Sequence, residues 1–333
     1  MNPFTYHRAS GIDDTLRELG AGNGFAKIVA GGTNLLDLMK EHVAVPRGLV
    51  DINRLPLAEI TELENGGLRL GALATNADTA RHPLVVERYP LLSKAILAGA
   101  SPQLRNMATD GGNLLQRTRC PYFYDTALPC NKRLPGSGCP AIGGFNRNHA
   151  ILGASEHCIA THPSDLCVAL AALEAVVQLE GPEGRRAVPF AEFHLLPGDH
   201  PEWDTVIAPD ELITSIDLPP AGFAEHCFYL KIRDRHSYAF ALVSVAAALE
   251  IGDGVIKDAR IALGGVAHKP WRDVAAEQRL ISRPPAKDHF DEAAMLLLQD
   301  AKPQAFNGFK IPLARLAIVR ALSEAAHLES TPS

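Results

Sequence analysis

Two glycine pairs, each between a short apolar run and a helical pattern, constrain the fold of this chain most strongly. FAKIVA leads into Gly31-Gly32 and a helical pattern that Thr33 or Asn34 is placed to cap, and ATDGGNLLQ repeats the arrangement at Gly111-Gly112. Glycines at a helix start let a phosphate approach backbone N–H groups. The two pairs together predict a site that shares the two phosphates of a dinucleotide, although each pair alone is typical of a plain strand–helix turn.

The remaining pattern predicts strands and helices in two units. Pro219-Pro220-Ala221-Gly222 breaks it, and we predict a domain boundary near 221. Beyond it, Gly252-Asp253-Gly254 predicts a hairpin turn between two strands. Predicted strands include residues 48–52 and 68–74, predicted helices include 90–100, 291–301 and 313–326, and residues 164–179 are predicted to begin as a helix and end as a strand.

The bulk composition excludes several classes of protein. The 333 residues are 47% hydrophobic and 21% charged, which is typical of a globular chain long enough for two or three domains. A net charge of −6 disfavours nucleic acid or an anionic membrane as the main partner. No apolar stretch reaches the length needed to span a bilayer, and the N-terminus shows no signal peptide. We therefore expect a cytoplasmic protein with no membrane insertion, judged on these features alone.

Four of the six cysteines lie in one stretch rich in proline and glycine, residues 117–158, which we call the cysteine segment. Disulfides are disfavoured because a reducing compartment keeps thiols free. Zinc and a 4Fe–4S cluster both accept four thiolates, but the spacing C-x9-C-x8-C-x18-C lacks the paired knuckle of structural zinc sites. Both metals stay open at this point. The four cysteines are Cys120, Cys130, Cys139 and Cys158.

Basic residues outnumber acidic ones in the cysteine segment, although the whole chain is acidic. This excess would ease the burial of an anionic cluster, and a solvated basic loop is the plainer interpretation. The bases are Arg117, Arg119, Lys132, Arg133 and Arg147, against Asp125 and Glu156.

The motifs AGGTNLL, ATDGGNL, HPSDL, ELITSIDLP and YLKIRDR occur in the order seen in one family. From about residue 3 to residue 325 the chain resembles the FAD-binding medium subunit of molybdenum hydroxylases, the xanthine dehydrogenase and carbon monoxide dehydrogenase group. The resemblance implies an α+β fold. A two-part FAD-binding domain of the vanillyl-alcohol-oxidase (PCMH) type would span 1–221, and a smaller α+β domain of antiparallel sheet plus helices would span 222–325. Residues 326–333 would form a frayed tail.

The resemblance also implies cofactor-binding residues, position by position. Ser164-Asp165 is equally a helix cap, and Leu212-Ile213 is equally strand core. Asp110 departs from the family, where an apolar residue is usual, so we expect its carboxylate to point away or to pair with a cation such as Arg105. The implied FAD-binding residues are Lys27, Ala30, Gly31, Gly32, Thr33, Asn34 and Leu35 for the pyrophosphate; Thr109, Gly111, Gly112 and Asn113 for the second half of that site; Ser164 and Asp165 for the ribose and phosphate region; and Leu212, Ile213 and Lys231 for the flavin ring.

The segments RCPYFYD, PCNKR, GSGC and EHCIATHPSD resemble the subfamily of periplasmic aldehyde oxidoreductases, whose flavin subunit carries an extra 4Fe–4S cluster. This resemblance implies that Cys120, Cys130, Cys139 and Cys158 bind the cluster. Cys167 and Cys227 lie in a helical and a strand pattern and are interpreted as small buried hydrophobic residues.

The expected function is therefore electron transfer within a complex. The resemblance implies a large partner subunit with a molybdenum cofactor that oxidises an aldehyde, and a small partner subunit with two 2Fe–2S clusters. FAD would pass electrons to a quinone, a carrier protein or oxygen, and export with a signal-bearing partner would place the complex in the periplasm. No general base is evident, because His162 or His236 alone is weak evidence. The alternatives are a cytoplasmic relative acting on a purine or aromatic substrate, and a zinc-stapled nucleotide-binding module.

Overall fold

Three β-sheets organise the part of the chain that the structure describes. The structure is a computed structural model and describes residues 1–328. The predicted tail begins at residue 326, and its residues 329–333 lie outside the described part of the chain.

A small parallel sheet with strand order β1-β3-β2 forms the N-terminal part. The run FAKIVA forms its strand β2, as predicted, and the first glycine pair follows at once. Leu19 of helix α1 packs against apolar side chains of the sheet, including Ala26 and Val50. The elements are β1 (Thr5–Arg8), α1 (Ile12–Ala21), β2 (Ala26–Val29), α2 (Leu35–Lys40) and β3 (Gly48–Asp51).

A five-stranded antiparallel sheet with order β4-β5-β8-β6-β7 follows. The predicted change from helix to strand within residues 164–179 is confirmed by α9 and β6. The elements are β4 (Ile60–Glu62), β5 (Leu68–Gly71), α3 (Asn76–Arg81), α4 (Pro83–Arg88), α5 (Pro90–Ala98), α6 (Pro102–Arg105), α7 (Asp110–Leu114), α8 (Pro121–Tyr124), α9 (Asp165–Ala172), β6 (Val176–Gly181), β7 (Gly184–Pro189), α10 (Phe190–Phe193) and β8 (Leu212–Leu218).

The C-terminal part is a four-stranded antiparallel sheet, β12-β11-β10-β9, with helices on one face. The predicted hairpin turn is confirmed, because Asp253 and Gly254 both take positive φ and join β10 to β11. The other face of the sheet shares one large core with α5, α9 and the five-stranded sheet. The elements are β9 (Cys227–Ile232), β10 (Val243–Gly252), β11 (Val255–Gly264), β12 (Trp271–Arg272), α11 (Val274–Gln278), α12 (Lys287–Leu297) and α13 (Lys310–Ala325).

The cysteine segment contains little regular structure and packs against the C-terminal part. Ile151 N donates to Val266 O at 2.9 Å, and the buried Lys310 Nζ donates to His149 O at 2.9 Å. These bonds fix an irregular segment whose own residues form only the short helix α8. Within residues 1–328, no helix combines the length and the apolar character that crossing a bilayer requires.

Candidate functional site

One large cavity of about 880 Å³ lies where the N-terminal sheet, the two glycine pairs, α9, the start of β8 and the end of β9 meet. We call it the main cavity. All sixteen residues expected to bind FAD line it, although they come from segments up to two hundred residues apart. Its volume lies in the range of pockets that enclose small molecules and cofactors.

The first glycine pair lies against the backbone that leads into the second, at Met107 and Ala108. A Cβ on Gly31 would sit 1.8 Å from the carbonyl oxygen of Met107, so only glycine permits this approach of two backbones. Gly32 takes a φ of +72°, which also favours glycine. We call residues 30–35 the first glycine loop and residues 108–113 the second glycine loop.

The first glycine loop leaves its backbone donors free. Among the described residues, no acceptor pairs with the backbone N–H of Gly31, Gly32, Thr33 or Asn34. The Asn34 side chain does not cap α2 as predicted; its Oδ1 instead accepts from the backbone N–H of Arg117 at 2.9 Å. Four consecutive free N–H groups beside a cavity form an anion-binding surface of the kind that holds phosphates.

The second glycine loop is different, because its donors already have acceptors. Gly111 N donates to Ala72 O at 2.9 Å, and Gly112 N donates to Thr109 Oγ1 at 3.2 Å. The Asn113 amide donates to Asn76 Oδ1 at 2.8 Å and accepts from Ser164 Oγ. This loop therefore adds shape and polar side chains to the main cavity, while the first loop adds free donors.

A buried ion pair closes the side of the cavity formed by α9 and β9. Lys231 Nζ lies 2.7 Å from Asp165 Oδ2, and Tyr229 donates its hydroxyl to Asp165 Oδ1 at 2.7 Å. Lys231 also donates to Ala98 O at 3.2 Å. Both oxygens of Asp165 thus have protein partners, and the pair joins the two parts of the chain.

Asp110 points away from the main cavity, which is the first of the two expected arrangements, and it does not pair with Arg105. The Asp110 carboxylate is fully buried and accepts from Asn76 Nδ2 at 2.6 Å and from Thr79 Oγ1 at 2.5 Å. Arg105 instead donates to backbone carbonyls such as Gly99 O. Burial raises the pKa of Asp110 to about 7, against the lowering effect of its two hydrogen bonds. A carboxyl that is partly protonated near neutral pH reduces the repulsion expected beside a pyrophosphate.

The four cysteines of the cysteine segment border a second, very small cavity of about 10 Å³. All four thiols are free, and His149 Nε2 lies 3.1 Å from Cys120 Sγ. Among residues 1–328, no three of these sulfurs come within 4.8 Å of one another. A single tetrahedral zinc with Zn–S bonds of about 2.3 Å holds its thiolates roughly 3.8 Å apart. The four sulfurs are therefore not preset at the separations that a single zinc ion requires.

Asp204 connects the two cavities. Its carboxylate accepts from Arg117 Nε, on the wall of the main cavity, at 2.6 Å. It also accepts at 2.5 Å from Nζ of the buried Lys132, which borders the cavity of the four cysteines. Although burial opposes ionisation, the nearby Arg117, His268 and Lys132 hold the pKa of Asp204 well below its usual value.

The excess of bases in the cysteine segment serves mostly other contacts. Only Lys132 borders the small cavity, while Arg147 forms a bidentate pair with Asp234 at 2.8 Å and Arg133 donates to backbone carbonyls. The predicted electrostatic role therefore reduces to one buried lysine.

Three further polar residues at these sites, Asn76, His149 and Asp204, carry no recognisable signal in the sequence. Each reaches its site from a distant segment, and no spacing pattern marks it. The contact between His149 and Lys310 is likewise not predictable from a local pattern, because the two residues lie 161 positions apart in the sequence.

Comparison with known proteins agrees with this architecture. Residues 2–221 match the FAD binding domain in molybdopterin dehydrogenase, and residues 228–325 match the CO dehydrogenase flavoprotein C-terminal domain. The chain is 51% identical over 326 residues to the aldehyde oxidoreductase FAD-binding subunit PaoB of Escherichia coli, covering 98% of this chain and 99% of that protein. It is 27% identical to the carbon monoxide dehydrogenase medium chain of Hydrogenophaga pseudoflava, covering 97% and 96% of the two chains.

A solved structure of carbon monoxide dehydrogenase from Hydrogenophaga pseudoflava superposes with a TM-score of 0.77 at 28% identity, covering 98% of each chain. The resemblance in the sequence and its α+β fold are thereby confirmed. The chain belongs to the FAD-binding medium subunits of the molybdenum hydroxylase family.

Proposed function

We propose that this chain is the electron-transfer subunit of a heterotrimeric, molybdenum-dependent aldehyde oxidoreductase. A large partner subunit with the molybdenum cofactor would oxidise aldehydes to carboxylic acids, and a small partner with two 2Fe–2S clusters would relay electrons to this chain. The observation that carries the proposal is the 51% identity, over nearly the full length of both chains, to a protein named as an aldehyde oxidoreductase FAD-binding subunit.

The main cavity offers each part of FAD a matching surface. The free N–H groups of the first glycine loop would bind the pyrophosphate, with Lys27 adding positive charge nearby. The buried Leu212 and Ile213 would pack against the flavin ring, and Lys231 would lie at its polar edge. When bound, FAD supplies the ability to take up electrons and pass them to an external acceptor.

We assign a 4Fe–4S cluster to Cys120, Cys130, Cys139 and Cys158. Four free thiols around one small cavity support the assignment, since four thiolates are the usual ligands of such a cluster. Burial raises the pKa of Cys120 to about 12 and that of Cys158 to about 11, so these thiols need a bound cationic core to ionise. The buried ammonium of Lys132 would offset the net negative charge of the thiolate-ligated cluster.

The test is an anaerobic visible spectrum of the purified complex before and after an aldehyde is added. We expect flavin and iron–sulfur absorption in the resting complex and bleaching of both by an aldehyde, with no change on adding a purine of equal concentration. Bleaching by a purine alone would favour the related purine-oxidising function. A complex without flavin absorption that gains none on reconstitution with FAD would contradict the proposal.

The same experiment tests the alternative of a zinc-stapled nucleotide-binding module, because such a protein would show neither flavin nor iron–sulfur absorption and no bleaching.

We also propose that the complex reaches the periplasm by export with a signal-bearing partner. Fractionation of cells into periplasm and cytoplasm, followed by an assay of aldehyde oxidation, tests this location.

A further inference from the structure

A second group of metal-type ligands lies in the interior, apart from the four cysteines. His162 comes from the loop before α9, Cys167 from the first turn of α9, and His194 from the residue after α10. One ligand atom of each side chain lies within 4.8 Å of the other two, and all three residues are buried. The three segments come together only in the folded chain.

The two imidazoles present unused nitrogen atoms. His162 Nε2 and His194 Nδ1 are buried, and neither has a hydrogen-bond partner among the described residues. His194 Nε2 lies 2.9 Å from Leu114 O, so this nitrogen carries the proton and Nδ1 keeps a lone pair. A ligand histidine that donates its other N–H to a backbone carbonyl is the usual arrangement at metal sites. Without a ligand, each unpaired buried nitrogen destabilises the folded chain.

The charges around the group are mixed, because Asp165 and Asp204 are already paired with Lys231, Arg117 and Lys132. The carboxylates of Asp165 and Asp110 lie close enough to act on the Cys167 thiol, and Asp204 acts on both imidazoles. The cations Arg119 and Lys269 act in the opposite sense, because they lower the pKa of His162 and of His194, respectively. The Cys167 backbone N–H is already held by Ser164 Oγ at 3.0 Å, so the thiol is fixed on the first turn of α9.

Aromatic rings shield one side of the group. The His194 ring lies 4.9 Å from the Phe193 ring and 5.4 Å from the Phe190 ring, and 4.5 Å from the ring of His162. An apolar shell of this kind keeps water away and favours a thiolate ligand with low-charge partners.

We propose that His162, Cys167 and His194 form a buried site for one thiophilic cation with a filled d shell, Zn²⁺ or Cu⁺. One thiolate and two neutral imidazoles are a soft donor set that selects such ions over Mg²⁺ or Ca²⁺. Metal–ligand bonds of about 2.0–2.3 Å place donor atoms roughly 3.3–3.8 Å apart, within reach of the observed separations. The ion would join α9 to the loop and helix beside the main cavity.

The test compares the purified complex with variants in metal content per flavin, measured by mass spectrometry after dialysis against a chelator. Each sample is measured as purified and again after incubation with Zn²⁺ or with Cu⁺ under reducing conditions. The variants are Cys167→Ala and His194→Gln, and the matched control is Cys227→Ala, which removes another buried free thiol outside the group.

We expect about one equivalent of zinc or copper in the wild type and in Cys227→Ala, and at least a tenfold loss in the other two variants. Equal flavin content across the set shows that each variant folds. No uptake of either ion by the wild type would overturn the proposal. A stoichiometric ion that persists in Cys167→Ala would also overturn the proposal, because that ion would then be bound elsewhere, for example at the four cysteines of the cysteine segment.

Discussion

At the scale of single residues, Gly31 is the position where the fold of the main cavity depends most directly on the absence of a side chain. Replacing Gly31 by Ala would drive its Cβ into the Met107 carbonyl, and the two glycine loops would have to separate. We expect a destabilisation of about 1–3 kcal/mol and at least a tenfold loss of bound flavin, because the loops would no longer align. The ratio of flavin to protein absorbance measures the loss.

Gly20 provides the matched control for Gly31. It lies in α1, and a Cβ there would meet nothing within 4 Å. Gly20→Ala should retain flavin and gain about 0.5–1 kcal/mol of stability, since alanine favours a helix over glycine. Normal flavin content in Gly31→Ala would show that the close contact of the loops is not required.

The raised pKa of Asp110 predicts a specific dependence of the unfolding free energy on pH. Its folded pKa of about 7 exceeds the unfolded value near 3.8, so the folded chain binds more protons between these values. The free energy of unfolding therefore falls as the pH rises from about 4 to about 7 and levels off above it. Asp110→Asn removes this contribution.

The measurement is urea unfolding of wild type and Asp110→Asn at several pH values. The stability of the variant relative to wild type should rise by a few kcal/mol between pH 4 and pH 7, and stay constant above pH 8. A difference that does not change with pH would show that the carboxyl titrates normally.

At the scale of elements, the buried pair of Lys231 on β9 and Asp165 on α9 links the N-terminal and C-terminal parts. Removing one partner leaves the other charge buried, so Lys231→Met and Asp165→Asn should each cost about 3–5 kcal/mol. The double variant should cost clearly less than the sum, because neither charge then remains. A double-mutant cycle of unfolding free energies measures this coupling.

Tyr229→Phe is a useful companion, because it removes one hydrogen bond to Asp165 and leaves the ion pair in place. Its cost should be about 1 kcal/mol. Single-variant costs that simply add within about 0.5 kcal/mol would show that Lys231 and Asp165 act independently.

Elements were also the scale at which the sequence predicted the structure best. The runs FAKIVA and GLVDI and the Asp253-Gly254 turn are specified by residues within a short window, and all three form as predicted. The capping role of Asn34 was wrong because a distant backbone donor, Arg117 N–H, uses its side chain. Contacts at long separation are set by packing, which a local pattern does not contain.

The candidate site likewise combines features that local sequence predicts with long-range contacts that it does not. All sixteen residues that the family motifs predicted are among those that line the main cavity, because glycine pairs and the HPSD segment are local features. Asp204 was missed, since its role comes from two cations that lie 87 and 72 residues away in sequence. The partners of Asp110 could not be predicted for a related reason, because Thr79 and Asn76 approach it from α3.

At the scale of the whole molecule, the main cavity and the cysteine cavity are neighbours that share one counter-ion. Asp204 pairs with Arg117 at one and with Lys132 at the other, so a change of charge in either cavity acts on the other through a single carboxylate. The cysteine segment is therefore built into the electrostatics of the FAD-binding part, and packs on the C-terminal sheet as well.

The most direct test of the account is the amount of iron and acid-labile sulfide per flavin in the complex purified without oxygen, after subtraction of the partner clusters. Comparing wild type with Cys139→Ala makes the subtraction, because the proposed cluster of this chain would depend on that thiol and the partner clusters would not. We predict a difference of about four iron and four sulfide per FAD, with flavin unchanged. Equal iron and sulfide in the two proteins would contradict the account.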